Sequence, residues 1–275
     1  MCIRDRSITY SKGSETFTVR AEREILLCAG SIGSPHILQT SGVGEASKIK
    51  DLGINIVKDL KGVGKNLQDH LMFRPVYKVK NIETLNKKIN SVFGKLLIGL
   101  EYVFKRRGPM TMGASQLCGF AKSDPSRDTP NLQFHIQPIS TDKLGGANLH
   151  DFHAFTPTVA NIRPTSRGEI TISSNDTKVN PKIKMNYLST DEDRKVAADG
   201  IKLIRKIVME TNEFKKYEPE EFRPGSHLND KEEIVKACSH YAQTIFHPVG
   251  TCKMGNDDSA VVSDKLKVHG INKLR

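Results

Sequence analysis

The chain has no tryptophan, and aromatic residues make up only 6% of its 275 positions. A surface that stacks single-stranded nucleic acid needs aromatics interleaved with its basic residues, and no basic run here supplies them. Long apolar stretches are missing too. The longest of interest, Leu96-Leu97-Ile98-Gly99-Leu100, falls far short of the roughly 20 residues that span a bilayer, so no transmembrane segment is expected. The five cysteines, at 2, 28, 118, 238 and 252, include no pair with metal-ligand or dithiol spacing. Cys28 in an apolar run and Cys238 on a helical apolar face read as buried small hydrophobes, which fits a reducing interior. Also missing is any Gly-x-Gly-x-x-Gly run, the turn that cradles a dinucleotide pyrophosphate.

What is present is basic and globular. There are 42 Lys and Arg against 31 Asp and Glu, for a net charge of +11. The cations are scattered except at Lys105-Arg106-Arg107, an expected helix end where positive charge offsets the dipole. This reads as a solvated basic surface, with no nucleic-acid partner. The length allows one or two domains with real cores. Met1-Cys2-Ile3-Arg4-Asp5-Arg6 resembles the translation of a sequencing-library adapter, so 1–6 are left out of the fold reading.

Patterning predicts a strand over 22–28, a short helix over 34–40, another over 45–52 ending at Gly53, and a short strand over 55–57. Alternation predicts strands over 75–80, 132–137 and 169–173. A single helix is expected over 89–106, with Ile89, Val92, Phe93, Leu96, Leu100 and Val103 on one apolar face. Thr190 followed by three acids, then Val196, Ile201, Ile204 and Val208, marks a capped helix. Asn229-Asp230-Lys231-Glu232 starts another, with Glu232 at the capping-box position. Residues 145–148 read as a loop. Strands grouped with helices, instead of alternating with them, argue an α+β fold.

Three runs carry chemistry. His247-Pro248-Val249-Gly250-Thr251-Cys252-Lys253-Met254-Gly255 presents an imidazole on a turn that proline stiffens and glycine opens to close backbone approach. Gly30-Ser31-Ile32-Gly33-Ser34-Pro35-His36-Ile37-Leu38-Gln39-Thr40-Ser41-Gly42-Val43-Gly44 is a second cluster of small and special residues, and Gly62-Val63-Gly64-Lys65-Asn66-Leu67-Gln68-Asp69-His70 lies between them. Together they resemble the glucose–methanol–choline (GMC) family of FAD-dependent oxidoreductases, and its choline-dehydrogenase-like members in particular. The resemblance covers nearly the whole chain. It implies that 7–72 form the C-terminal part of an FAD-binding, Rossmann-like region. Residues 73–240 would then form a substrate domain with an antiparallel sheet and flanking helices, and 241–275 a return to the FAD region. It also implies that the ADP-binding half lies upstream, and that a second catalytic Asn or His lies beyond residue 275.

The resemblance implies FAD as cofactor and oxidation of a primary alcohol, choline-like or aliphatic, to the aldehyde. His247 would be the general base, a task suited to a group that titrates near neutrality. Ala29, Gly30, Asn66, Asp69, His70, Val249, Gly250 and Thr251 would lie at the cofactor. His135 stands where choline-processing relatives have a pocket histidine, though a hydrogen-bonded sheet histidine explains it equally; Gln133 and Gln116 are further substrate-side candidates. His150, Asp151 and His153 lack the further ligands a metal site needs, so no metal is expected. Arg163-Pro164-Thr165-Ser166-Arg167-Gly168 reads as a structural turn. Oxygen and a quinone chain both stand as electron acceptors, and the expected location is the cytoplasm or the inner face of a membrane. The rival reading is a non-catalytic binding module or an inert piece, since the dinucleotide fingerprint and the second catalytic position are not in this sequence.

Overall fold

The computed structural model describes residues 2–4, 7–113, 115–142 and 148–275, with side chains from Ser7 onward. Of the loop expected at 145–148, only Asn148 falls within the described residues. The fold is a mixture of helix and sheet, as the patterning predicts, and its larger sheet is antiparallel. It divides into two compact units: Met1–Asp69 with Ser166–Ser189 and Phe246–Arg275, and His70–Thr165 with Thr190–Ile245. This differs from the linear 73–240 expectation, because Ser166–Ser189 packs with the first segment. Leu67 and Gly168 exchange both backbone hydrogen bonds, at 2.8 and 3.0 Å, and Ile170 N–H donates to the Gly64 carbonyl at 2.7 Å. A segment that returns to an earlier partner leaves no trace in local patterning.

The first unit has a small core of Ile25, Leu38, Val43, Leu60, Val63, Val261, Val262, Val268 and Leu274, drawn from chain positions far apart. Its helix, Gly30–Thr40, starts four residues earlier than patterning predicts and contains Pro35. The stretch 22–28 is not a strand: Ile25 makes one parallel bridge with Leu274, and Cys28, expected to be buried, is exposed. The expected strand at 55–57 is displaced to Lys58–Asp59, which pairs in parallel with Val43–Gly44. Strands Ser7–Lys12 and Glu15–Arg20 form a hairpin, and Cys2–Arg4, left out of the fold reading, adds a third strand.

The second unit is built on antiparallel strands. Ala154–Asn161 runs through the middle, with Leu132–Gln137 and then Leu117–Ala121 on one side. On its other side Leu71–Phe73 and Val76–Lys78 lie end to end, continued outward by Gln243–Thr244 and Glu220–Arg223. Pro75, which has no N–H for the ladder, sits in the break between the two short strands. The long helix Asp191–Glu210 buries Val196, Ala197, Ile201, Ile204 and Val208. Thr190 caps it as expected, its hydroxyl accepting from Asp193 N–H at 3.2 Å. Gly200 faces the sheet, where an added Cβ would stand 3.0 Å from Val159 and 3.4 Å from Leu132. Helix Lys231–Ser239 is capped by Asp230, one residue later than the capping-box reading, and buries Ile234, Val235 and Cys238.

The expected helix over 89–106 is two, Leu85–Asn90 and Val92–Lys105, split at Ser91, whose hydroxyl caps the second. Its apolar face is not core. Val92, Phe93, Leu96, Leu97, Leu100, Val103 and Phe104 are all exposed, Val92 at 85%. No helix among the described residues is long and apolar enough to cross a membrane.

Candidate active site

Within the first unit, the three chemistry-bearing runs converge, and the contact begins with a proline. In a helix the carbonyl of residue i accepts from the N–H of residue i+4; Pro35 has none, so the Ser31 carbonyl loses that donor. The hydroxyl of Thr251 supplies the replacement, donating to the Ser31 carbonyl at 2.6 Å. Thr251 is 1% exposed. Its own carbonyl accepts from Gly64 N–H at 2.9 Å, which ties in the 62–70 loop. One buried threonine therefore links all three runs.

The loop and the histidine run then pair along their length. Gln68 and Val249 exchange backbone hydrogen bonds at 2.9 Å each. Asn66, held at φ 60°, donates through Nδ2 to the Gly250 carbonyl at 3.1 Å. Gly250 has φ 96°, and a Cβ there would lie 2.4 Å from the Asn66 carbonyl, so only glycine fits the approach. Asp69 is 4% exposed and anchors the next step. Its Oδ1 accepts from His247 N–H at 2.9 Å, and its Oδ2 accepts from the Tyr187 hydroxyl at 2.5 Å. The imidazole of His247 belongs to an exposed residue, preceded by Phe246 at φ 62°, a conformation a bulky aromatic rarely adopts.

Asn66, Asp69, His247, Val249, Gly250 and Thr251 are thus gathered in one place. Ala29 and Gly30 stand exposed at the start of the helix that Thr251 touches, Ala29 N–H donating to the Ser34 hydroxyl at 3.2 Å. His70 begins the second unit, its carbonyl accepting from Ile245 N–H at 3.3 Å. Three contributors escaped the sequence reading. Arg167 donates through Nε to Asn66 Oδ1 at 3.1 Å, so the run read as a structural turn also braces the loop. Tyr187 holds Asp69. Gln39, buried in the Gly30–Thr40 helix, accepts from Ile172 N–H and donates to the Ile170 carbonyl, both at 2.9 Å. Nearby, Lys65 pairs with Glu169, and that hydrogen bond holds the Glu169 carboxyl below its ordinary value.

In the second unit, His135 and Gln133 alternate with Phe134 and so lie on the sheet face opposite the long helix, whose side holds Phe134 and Val159. Gln133 donates to Cys118 Sγ at 3.6 Å. Gln116 is not with them. It lines an apolar cavity of about 390 Å³ on the helix side, beside Met112, Leu117, Phe155 and Tyr217. His150 and His153 are spent on structure: His150 bonds the Ser140 hydroxyl at 3.0 Å and stacks on Phe152, while His153 Nδ1 accepts from Thr84 N–H at 3.1 Å.

Comparison with known proteins agrees with this convergence. Residues 4–72 and 164–275, the stretches that carry all three runs, match the N- and C-terminal models described as GMC oxidoreductase. The oxygen-dependent choline dehydrogenase of Chromohalobacter salexigens is 37% identical over 268 residues, 98% of this chain and 48% of the relative. The enzyme of the same name from Pectobacterium carotovorum subsp. carotovorum is 38% identical over 98% of this chain and 47% of its own length. Among solved structures, formate oxidase from Aspergillus oryzae RIB40, studied for FAD modification, matches with a TM-score of 0.88 at 26% identity, covering 98% of this chain and 52% of that one. The chain spans about half the length of the curated relatives it matches. GMC oxidoreductases are FAD-binding flavoproteins. By its motifs, its fold and these matches, the chain belongs to the GMC oxidoreductase family.

Proposed function

We propose that this protein contributes to FAD-dependent oxidation of a primary alcohol to the aldehyde, with His247 as general base. The observation that carries this reading is the Asp69–His247–Thr251 convergence, which fixes the backbone of the exposed His247 beside a close approach that only glycine allows. The local surface fits a flat, largely apolar ring system. Ile32, Phe246 and Val249 are exposed there, and a Cβ added to Gly30 would meet nothing within 4 Å. The Gly30–Thr40 helix has no acid in its first turn, which leaves its N-terminus favourable to phosphate. On this reading Ala29, Gly30, Asn66, Val249 and Gly250 hold the cofactor, and His70 borders it.

FAD, when bound, accepts the hydride from the alcohol carbon. The chain's own residues handle the proton and the geometry. His247 takes the hydroxyl proton as the carbonyl forms. Asp69 is a positioning residue: its carboxylate holds the His247 backbone, and Tyr187 holds the carboxylate. His135 and Gln133 serve the substrate side. The protein expressed from its complete reading frame tests the reading by anaerobic flavin absorbance. Bleaching by a primary alcohol supports it; bound flavin that no primary alcohol bleaches refutes it.

A further inference from the structure

Helix Val92–Lys105 is built inside out. A helix on a globular surface turns its apolar stripe inward and its charges outward. Here Val92, Phe93, Leu96, Leu100, Val103 and Phe104 share one side and are all exposed, Phe93 at 67% and Phe104 at 79%. The less exposed side carries Gly94, Ile98, Glu101 and Tyr102. Two contacts fix that orientation. A Cβ added to Gly94 would stand 2.1 Å from the Lys88 carbonyl, so the preceding helix packs against it at a distance only glycine allows. At the other end Arg107 pairs with Glu101 through Nε at 3.3 Å, tying the chain back after the helix ends at Arg106. The fold therefore holds the stripe outward.

The charges around the stripe are nearly all of one sign. Residues 85–107 contain Lys87, Lys88, Lys95, Lys105, Arg106 and Arg107 against a single acid, Glu101, and Arg107 engages that acid. On a helical wheel the stripe runs from Val92 round to Leu97, with Lys95 beyond one edge and Lys105 beyond the other, both exposed. Met110 and Met112, which follow in the chain, are exposed apolar residues as well. With 14 residues the helix is shorter than the roughly 20 that cross a bilayer. An apolar arc flanked on both sides by cations suits a helix that lies in a membrane surface.

We propose that Val92–Lys105 docks this protein on an anionic phospholipid bilayer, its apolar side sunk into the headgroup boundary and its cations among the headgroups. Burial of the exposed phenylalanines and leucines supplies the attraction, and Lys95, Lys105 and Arg106 add to it on anionic lipid. Charge decides between occupants. A second copy of the chain, seated across a two-fold axis, would set the same cations against one another and be repelled. An anionic bilayer offers negative charge around an apolar interior, which complements the stripe and both of its flanks. The proposal is independent of the alcohol that is oxidised.

The test is vesicle co-sedimentation of the FAD-loaded protein from the complete reading frame, with phosphatidylcholine alone and with phosphatidylcholine mixed equally with phosphatidylglycerol. The expected result is a partition coefficient about tenfold or more higher on the mixed vesicles, falling as salt is raised. Phe93→Gln with Leu96→Gln lowers that binding about 100-fold. Lys95→Gln with Lys105→Gln lowers it about tenfold, and flavin content stays that of the parent in both. Phe93→Trp keeps a bulky aromatic in place, and the emission of the added indole shifts to the blue on mixed vesicles. No co-sedimentation with mixed vesicles overturns the proposal, whether another part of the polypeptide or a second copy covers the stripe. Binding with an unshifted indole also overturns it, by placing a different surface at the membrane, and this readout needs no polar variant to fold.

Discussion

The unit built on Ala154–Asn161 and the unit that carries His247 are held together by different means. In the former, a long helix lays a continuous apolar stripe, Val196, Ile201, Ile204 and Val208, against a regular sheet. In the latter, loops are stitched by side chains reaching backbone groups: Thr251 to Ser31, Asn66 to Gly250, Asp69 to His247. Apolar packing tolerates small shifts at modest cost, whereas a buried hydrogen bond is made or lost. A loop that must hold the His247 backbone in one place gains from the second kind of construction.

The largest expected effect lies where the helix-and-sheet unit itself relies on polar contacts. Arg205 grips Glu221 through two hydrogen bonds of 2.8 Å, and the Tyr77 hydroxyl donates to the same carboxylate at 3.3 Å. Glu221→Ala leaves the guanidinium uncompensated and should cost about 3–5 kcal/mol in urea unfolding. Glu221→Ala costing under 1 kcal/mol would show that solvent reaches the pair.

The stitching predicts a specific coupling. Thr251→Val leaves the Ser31 carbonyl unsatisfied and should cost about 1–3 kcal/mol. In a Pro35→Ala background the residue at 35 regains an N–H that can satisfy that carbonyl, so the same change should cost measurably less. A double-mutant cycle reads the difference directly. Equal costs in both backgrounds would mean that the proline does not create the need for Thr251.

Electrostatics in the His247 unit should show on the acid side. The Glu169 carboxyl is held below its ordinary value chiefly by the hydrogen bond from Lys65. A depressed folded-state pKa adds stability above the unfolded value of about 4.3 and loses it as pH falls through the folded one. Because the pair is partly exposed, the contribution is under about 1 kcal/mol. Glu169→Gln should flatten the stability curve below that pH and leave neutral stability slightly reduced. The smallest effect belongs to the exposed helix Val92–Lys105: Leu100→Gln should stay within about 0.5 kcal/mol of the parent. A loss of several kcal/mol there would mean that this face is buried after all.

The two units also differ in how much the sequence discloses. The Thr190 cap, the acids behind it and the 3.6-residue apolar spacing predict the long helix almost to the residue, because cap and stripe are local signals. Spacing alone misplaces Val92–Lys105, since a stripe announces an apolar face without saying what covers it. The residues of the His247 cluster are visible as motifs, but their partnerships are not. Nothing local connects Pro35 to Thr251, 216 positions later, or Tyr187 to Asp69. Gln116 and His135 read alike as polar residues near strands, and only the register separates the cavity-lining one from the sheet-face one.

The most direct measurement is anaerobic single-turnover bleaching of the FAD-loaded protein beside His247→Ala, with flavin content measured in both. The expected result is equal flavin content and a bleaching rate about 10²–10⁴-fold lower in the variant, the range of a lost general base. A variant that keeps its flavin and bleaches at the parent rate would remove the proton-accepting role from His247.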